Sequence, residues 1–148
     1  MQKATELGVN KIIPMTSQNT VVRLNESNIE NKMRHWQKII ISAAEQSGRV
    51  KLPKIIEPQV FSKKLLNDFK SPQSYFLDTT GKESFSSKKT SKTTLVVGPE
   101  GGFSNAEKET AIDSGYKIIK TGPRLLRTET APIMAISILQ YLYGDLAN

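Results

Sequence analysis

Two short segments concentrate the residue types that bind ligands and react. Gly98-Pro99-Glu100-Gly101-Gly102 follows a β-branched run, and Arg124-Leu125-Leu126-Arg127-Thr128-Glu129-Thr130 gathers arginines, threonines and a glutamate ahead of an apolar stretch. Glycines let a backbone close on a ligand, but they also serve a tight strand-to-helix turn, and the pentapeptide fits both readings. It is neither a P-loop nor a dinucleotide fingerprint, since Phe103 stands where neither pattern expects it, so nucleoside triphosphate binding is disfavoured. In the second segment Thr128 or Thr130 can cap the next helix and Glu129 can answer its dipole. Capping does not explain Arg124 and Arg127, whose charges are unfavourable beside the positive end of a helix. They call for an anionic partner: Glu129, Glu100, a substrate phosphate or a bound carboxylate. The two segments read as two walls of one ligand pocket.

Other chemistries find little to work with. There is no cysteine, so disulfides and thiolate metal sites are excluded, and no His, Cys and Asp spacing suggests a metal. The single histidine, His35, lies beside Trp36 on a helical stretch with Arg34 and Lys38 and reads as a packing or surface residue. No Gly-x-Ser-x-Gly nucleophile elbow occurs. Glu45-Gln46-Ser47-Gly48-Arg49 closes a long helical pattern with an acid, an amide and a guanidinium, and Lys3 and Glu6 share the first helix. For Glu6 and Arg49 a plain surface charge is the simpler reading.

The 148 residues suit one compact domain, and 37% hydrophobic with 24% charged residues is an ordinary globular balance. No apolar run reaches bilayer length and the first residues lack a secretory core, which makes the cytoplasm the default location. The net charge of +7 favours polyanions such as RNA.

Positioning these residues requires an alternation of helical and extended segments, the pattern of an α/β domain with a largely parallel sheet. The spacing predicts a helix over 1–7 stopped by Gly8, a strand over 11–15, and an amphipathic helix over 28–47. That helix carries Ile29, Met33, Trp36, Ile40 and Ala44 on one face and Gly48 as its stop. A strand over 54–56, a helix over 62–69 and a strand over 74–78 follow, then a polar, mobile loop over 80–92. The run 93–97 reads as a buried central strand ending in the glycine-rich pentapeptide. Ser104-x-x-Glu107 has capping-box spacing for a helix stopped at Gly115. A strand over 117–120 and the Gly122-Pro123 turn lead to a last helix over 131–143, with Pro132 in its first turn.

Four blocks then resemble one family. Lys3-Ala4-Thr5-Glu6-Leu7-Gly8-Val9, Glu45-Gln46-Ser47-Gly48-Arg49, Leu95-Val96-Val97-Gly98-Pro99-Glu100-Gly101-Gly102-Phe103-Ser104 and Gly122-Pro123-Arg124-Leu125-Leu126-Arg127-Thr128-Glu129-Thr130-Ala131 resemble, in this order, the ribosomal RNA small subunit methyltransferase E family. The resemblance implies a SPOUT-type α/β fold with helices on both faces of the sheet and a deep C-terminal trefoil knot. It implies a homodimer that uses S-adenosylmethionine to methylate N3 of a uridine in small-subunit ribosomal RNA or the assembled subunit, without metal or membrane. The cofactor would be cradled by Leu77, by Gly98, Glu100, Gly101 and Gly102, and by Thr121, Gly122, Leu126, Arg127, Thr128 and Ala131. Removing the N3 proton leaves charge on the flanking oxygens, which is assigned to Arg127 with Arg49 as helper; Glu129 orients Arg127 or takes the proton. Members of the family carry an N-terminal RNA-binding β-barrel, whereas residues 1–148 read as the catalytic domain alone. An alternative is a truncated, catalytically weak or idle cofactor- and RNA-binding remnant.

Overall fold

The computed structural model describes residues 1–21 and 26–146, leaving out the side chains of Glu26 and Ser27. It divides into two compact units, Met1–Thr16 with Val21–Gln59, and Ser17–Thr20 with Val60–Asn148.

In the first unit, α1 (Gln2–Glu6) and α2 (Glu26–Gln46) carry most of the regular secondary structure. Each ends at a glycine in the left-handed region: Gly8 at φ 84° and Gly48 at φ 70°. Beyond each, a backbone N–H reaches back into the last helical turn, Val9 to the Ala4 carbonyl at 3.0 Å and Arg49 to that of Ala44 at 2.9 Å. The expected apolar stripe on α2 is real, with Ile40 and Ala44 buried and Ile29, Met33 and Trp36 half-buried. His35 is exposed. The single strand expected over 11–15 is instead two pieces, β1 (Lys11–Ile12) and β2 (Met15–Thr16). Pro14 stands between them and has no N–H for a ladder. β1 runs parallel to β3 (Lys54–Ile55), and Gln59, first residue of the unexpected two-residue β4 (Gln59–Val60), donates its N–H to the Pro14 carbonyl at 3.0 Å.

The second unit is built on a three-stranded parallel sheet in the order β6-β5-β7. Its elements are α3 (Lys63–Asp68), β5 (Gln73–Leu77), β6 (Thr93–Val96), α4 (Asn105–Asp113), β7 (Lys117–Ile119) and α5 (Thr130–Tyr143). The expectation that 93–97 is the central, buried strand is overturned: β6 is a half-buried edge, and β5 is central and buried along its whole length. The β-branched run misleads because the polar residues of β5 have partners. Gln73 accepts from the Tyr75 hydroxyl at 3.1 Å, and the Ser74 hydroxyl donates to the Ser71 carbonyl at 2.9 Å.

Alternation along β5 separates two packing layers. Tyr75 and Leu77 join Ile119 and the α5 residues Ala135 and Leu139 in one apolar cluster. Phe76 points the other way, its ring 4.2 Å from that of Phe103 and 6.3 Å from that of Phe61, which precede α4 and α3. The loop 80–92, expected to be mobile, is fastened along its first half. Gly81 and Glu83 donate N–H groups to Asp78 and Ile118 carbonyls, and the Phe85 ring meets Tyr75 edge-on at 5.0 Å. The Ser86 N–H donates to the Tyr75 hydroxyl at 2.9 Å, and the Tyr143 hydroxyl donates to the Ser86 carbonyl.

Candidate functional site

Because β5, β6 and β7 are parallel, the loops that follow them leave from one edge of the sheet. Leu77 closes β5, Val97 follows β6, Ile119 closes β7 and Ala131 sits in the first turn of α5, and all four pack in the same apolar cluster. That cluster draws together the roots of three loops and the amino end of a helix. It brings Leu77, the glycine-rich loop and the segment 121–131 to one edge, with the β5 loop between the other two rather than beside them. β7 pairs with β5 and not with β6, so the two segments leave from strands that β5 separates.

The glycine-rich loop is a turn in which one glycine is required by packing and another by backbone conformation. A Cβ on Gly98 would stand 2.8 Å from the Phe103 ring. Gly102 adopts φ +66° and donates its N–H to the Pro99 carbonyl at 2.9 Å, with open space where a side chain would point. The chain then enters α4 through the expected capping box: the Ser104 N–H donates to Glu107 Oε2 at 2.8 Å, and the Glu107 N–H to Ser104 Oγ at 3.3 Å. Glu100 and Gly101 are exposed.

The segment 121–131 departs from expectation at the helix start. Neither Thr128 nor Thr130 caps α5, and its N-cap Glu129 makes no side-chain cap hydrogen bond. The Arg127 carbonyl takes that part, accepting the N–H groups of Thr130 at 2.9 Å and Ala131 at 3.1 Å. The backbone of Arg127 is thereby tied to the helix while its side chain is exposed. Among the described residues, neither Arg124 nor Arg127 pairs with a carboxylate of the chain, and no hydrogen bond joins Glu129 to Arg127. Thr121, Leu126 and Thr128 are half-buried, whereas Gly122, at φ +84°, is exposed.

Arg49 lies in the first unit and is already engaged. Its Nη1 donates to the carbonyls of Thr5 at 2.7 Å and Val9 at 2.9 Å, and its Nη2 approaches Asn10 Oδ1 at 3.4 Å. It laces the end of α2 to the end of α1, a task that the surface-charge reading did not foresee. Lys3 and Glu6 form an ion pair at 2.7 Å on α1.

Sequence reasoning missed Asp78, at the end of β5. Its Oδ1 accepts from the Thr80 N–H at 2.9 Å and hydroxyl at 2.6 Å, and lies 3.6 Å from Lys108 Nζ. An Asp followed two residues later by Thr is the signal that could have found this turn. Two open cavities lie on this unit, and neither is lined by Leu77, by Gly98 to Gly102 or by residues 121–131. One, of about 610 Å³, is lined by Lys89 to Ser91 and Tyr141 to Gly144; the other, of about 310 Å³, lies over Phe61, Ser104 and Glu107. Among the described residues no group of three His, Cys, Asp or Glu side chains could hold a metal, and no helix is long and apolar enough to cross a membrane.

Residues 1–140 match the RNA methyltransferase domain family. The chain belongs to that family. It is 38% identical to ribosomal RNA small subunit methyltransferase E of Buchnera aphidicola subsp. Schizaphis graminum, over 99% of this chain and 61% of that protein. It is 34% identical to the Bacillus subtilis protein of the same name, over 98% and 62%. A Legionella pneumophila methyltransferase solved with bound S-adenosylmethionine superposes with a TM-score of 0.92 at 34% identity, covering 98% of this chain and 60% of that one. The Neisseria gonorrhoeae small subunit methyltransferase E, also solved with that cofactor, gives 0.84 at 33%, covering 96% and 60%. The chain thus spans about three fifths of the length of the curated relatives it matches.

Proposed function

We propose that this chain is the catalytic part of an S-adenosylmethionine-dependent methyltransferase that methylates N3 of a uridine in small-subunit ribosomal RNA. The observation that carries this reading is the convergence of three loops and the start of α5 on one sheet edge, through Leu77, Val97, Ile119 and Ala131. The residues there suit an adenosyl cofactor. Leu77, Val97 and Ala131 offer an apolar floor, and the open space at Gly102 and Gly122 leaves backbone polar groups within reach of a ligand. Leu77, Gly98, Glu100, Gly101, Gly102, Thr121, Gly122, Leu126, Arg127, Thr128 and Ala131 would hold it, mainly through backbone. When bound, the cofactor supplies an activated methyl group on a sulfonium, whose departure leaves a neutral thioether.

The chain's own task is to bring a uridine into place and to manage one proton and one charge. N3 lies between two carbonyls, so its lone pair becomes available only as its proton leaves and charge spreads onto both oxygens. The exposed guanidinium of Arg127 meets that charge, carried on a backbone that is fixed because its own carbonyl receives the first N–H groups of α5. Glu129, two residues on and free of any capping bond, takes the proton. Arg49 keeps its architectural role, its donors being turned to Thr5, Val9 and Asn10. The uridine must be splayed out of any stack to reach this edge. A net charge of +7 favours RNA as partner. The same reading includes a homodimer, a deep C-terminal trefoil knot and a cytoplasmic setting.

Calorimetric titration with S-adenosylmethionine, followed by mass-spectrometric detection of methyluridine in small-subunit RNA, tests the proposal. Binding and transfer are expected; no binding at millimolar cofactor would overturn it, and binding without transfer would favour the idle-remnant alternative. Arg127→Ala should slow single-turnover methylation by about a hundredfold or more. A rate within a few fold of wild type would remove Arg127 from the mechanism.

A further inference from the structure

The segment Ser17–Thr20 belongs to the second unit although it is remote from it in sequence. It is a closed turn: the Ser17 N–H donates to Thr20 Oγ1 at 2.8 Å and the Thr20 N–H to the Ser17 carbonyl at 3.1 Å. At its tip, Asn19 Nδ2 donates to two successive carbonyls of the glycine-rich loop, those of Gly101 and Gly102, each at 3.2 Å. One residue earlier, the Gln18 N–H donates to Glu107 Oε1 at 2.9 Å, while Glu107 Oε2 accepts the Ser104 N–H at 2.8 Å. The dipeptide therefore grips the loop at Gly101 and Gly102 and braces the capping box directly after it. Gly101 is shaped to this contact, since a Cβ there would stand 3.1 Å from the Asn19 Cβ.

We infer that Asn19 is a positioning residue for the proposed cofactor site: its amide fixes the orientation of the Gly101 and Gly102 peptides, and so sets cofactor affinity without touching the reacting atoms. The inference rests on the functional reading above. Two carbonyls drawn toward Nδ2 cannot rotate independently, and the N–H groups of the same peptide planes are fixed with them. A loop that presents backbone to a ligand binds it more tightly when that orientation is set beforehand.

The isosteric Asn19→Asp variant turns both contacts from donor–acceptor to oxygen–oxygen, while the exposure of Asn19 spares the core. In the ligand-free chain, hydrogen exchange at the Gly102 amide should quicken about fivefold, with the melting temperature moving by less than about 4 °C. Affinity for S-adenosylmethionine should fall by about fivefold to tenfold, raising KM for the cofactor at unchanged kcat. Unchanged exchange at Gly102, or unchanged affinity in the face of quickened exchange, overturns the inference. If the wild-type chain binds no cofactor, the functional reading fails, and the exchange measurement still decides whether Asn19 orders the loop. Asn19→Ala, which removes the amide without adding charge, should show the same pattern at smaller amplitude. Should Asn19→Asp unfold the chain, Asn19→Ala decides the matter by the same two measurements.

Discussion

The two units solve the same problem with different means. The second has a true interior, in which all five residues of β5 are buried, with α5 on one face and the Phe61 and Phe103 rings on the other. The first has two-residue strands and leaves Val50 97% exposed and Leu52 48% exposed, relying on one long helix and on the Arg49 side chain. A buried parallel strand fixes its neighbours through ladders and packing together, whereas a guanidinium fixes two helix ends through three donors. Precision is kept in the second unit. The loops proposed to hold a cofactor spring from the unit whose core is tightest, as a rigid scaffold for functional loops should provide.

The tight packing of the second unit is most vulnerable at Gly81. A Cβ there would stand 2.5 Å from the Ile119 carbonyl carbon and the Lys120 nitrogen, both backbone atoms, so Gly81→Ala must push the loop off β7. A loss of about 3 kcal/mol in urea unfolding is expected, with hydrogen exchange quickened first in β7 and β5. In the first unit the counterpart is Arg49→Ala, which strips the Thr5 and Val9 carbonyls of their charged donor. It should cost about 2 kcal/mol, seen as faster exchange in α1 and the end of α2 while β5 keeps its protection. Loss of protection in β5 as well would show that the two units share one stability.

Tyr75→Phe probes the hydroxyl contacts inside the second unit. It removes the hydroxyl that donates to Gln73 and accepts from Ser86, so it should cost about 1.5 kcal/mol and loosen 81–86. The smallest effect is one of pH. Burial, and then the hydrogen bond with Tyr75, push the Tyr143 hydroxyl up from 10.0 to about 12, and burial raises Tyr116 as well. A tyrosine that ionises less readily when folded stabilises the fold below pH 10.0, and that contribution is lost as the pH climbs toward about 12. Stability should therefore fall across that window, and Tyr143→Phe should flatten the decline; an equal slope in the variant would show that the hydroxyl is not held by the fold.

Much of this was legible in the sequence where local chemistry decides. Gly8 and Gly48 end their helices, Ser104 and Glu107 form their capping box, and Pro132 falls in the first turn of α5. What failed was decided by partners remote in sequence. Gln73 and Ser74 look too polar for a central strand until the Tyr75 hydroxyl and the Ser71 carbonyl are beside them. The loop 80–92 looks mobile until Tyr143 reaches Ser86. The two candidate segments were correctly placed after parallel strands, but which strand separates them is a matter of sheet order, which no spacing encodes. Arg49 announced a charge, and only its three acceptors explain it.

The late position of α5 also has a consequence for how the chain must be made. Its Ala135 and Leu139 complete the cluster around Tyr75, Leu77 and Ile119, and its Tyr143 closes on Ser86. During synthesis the sheet is finished before this helix has left the ribosome, so one apolar face waits uncovered until α5 emerges. Nascent chains arrested before residue 130 should be the sticky species, captured by chaperones in proportion to the time they spend there.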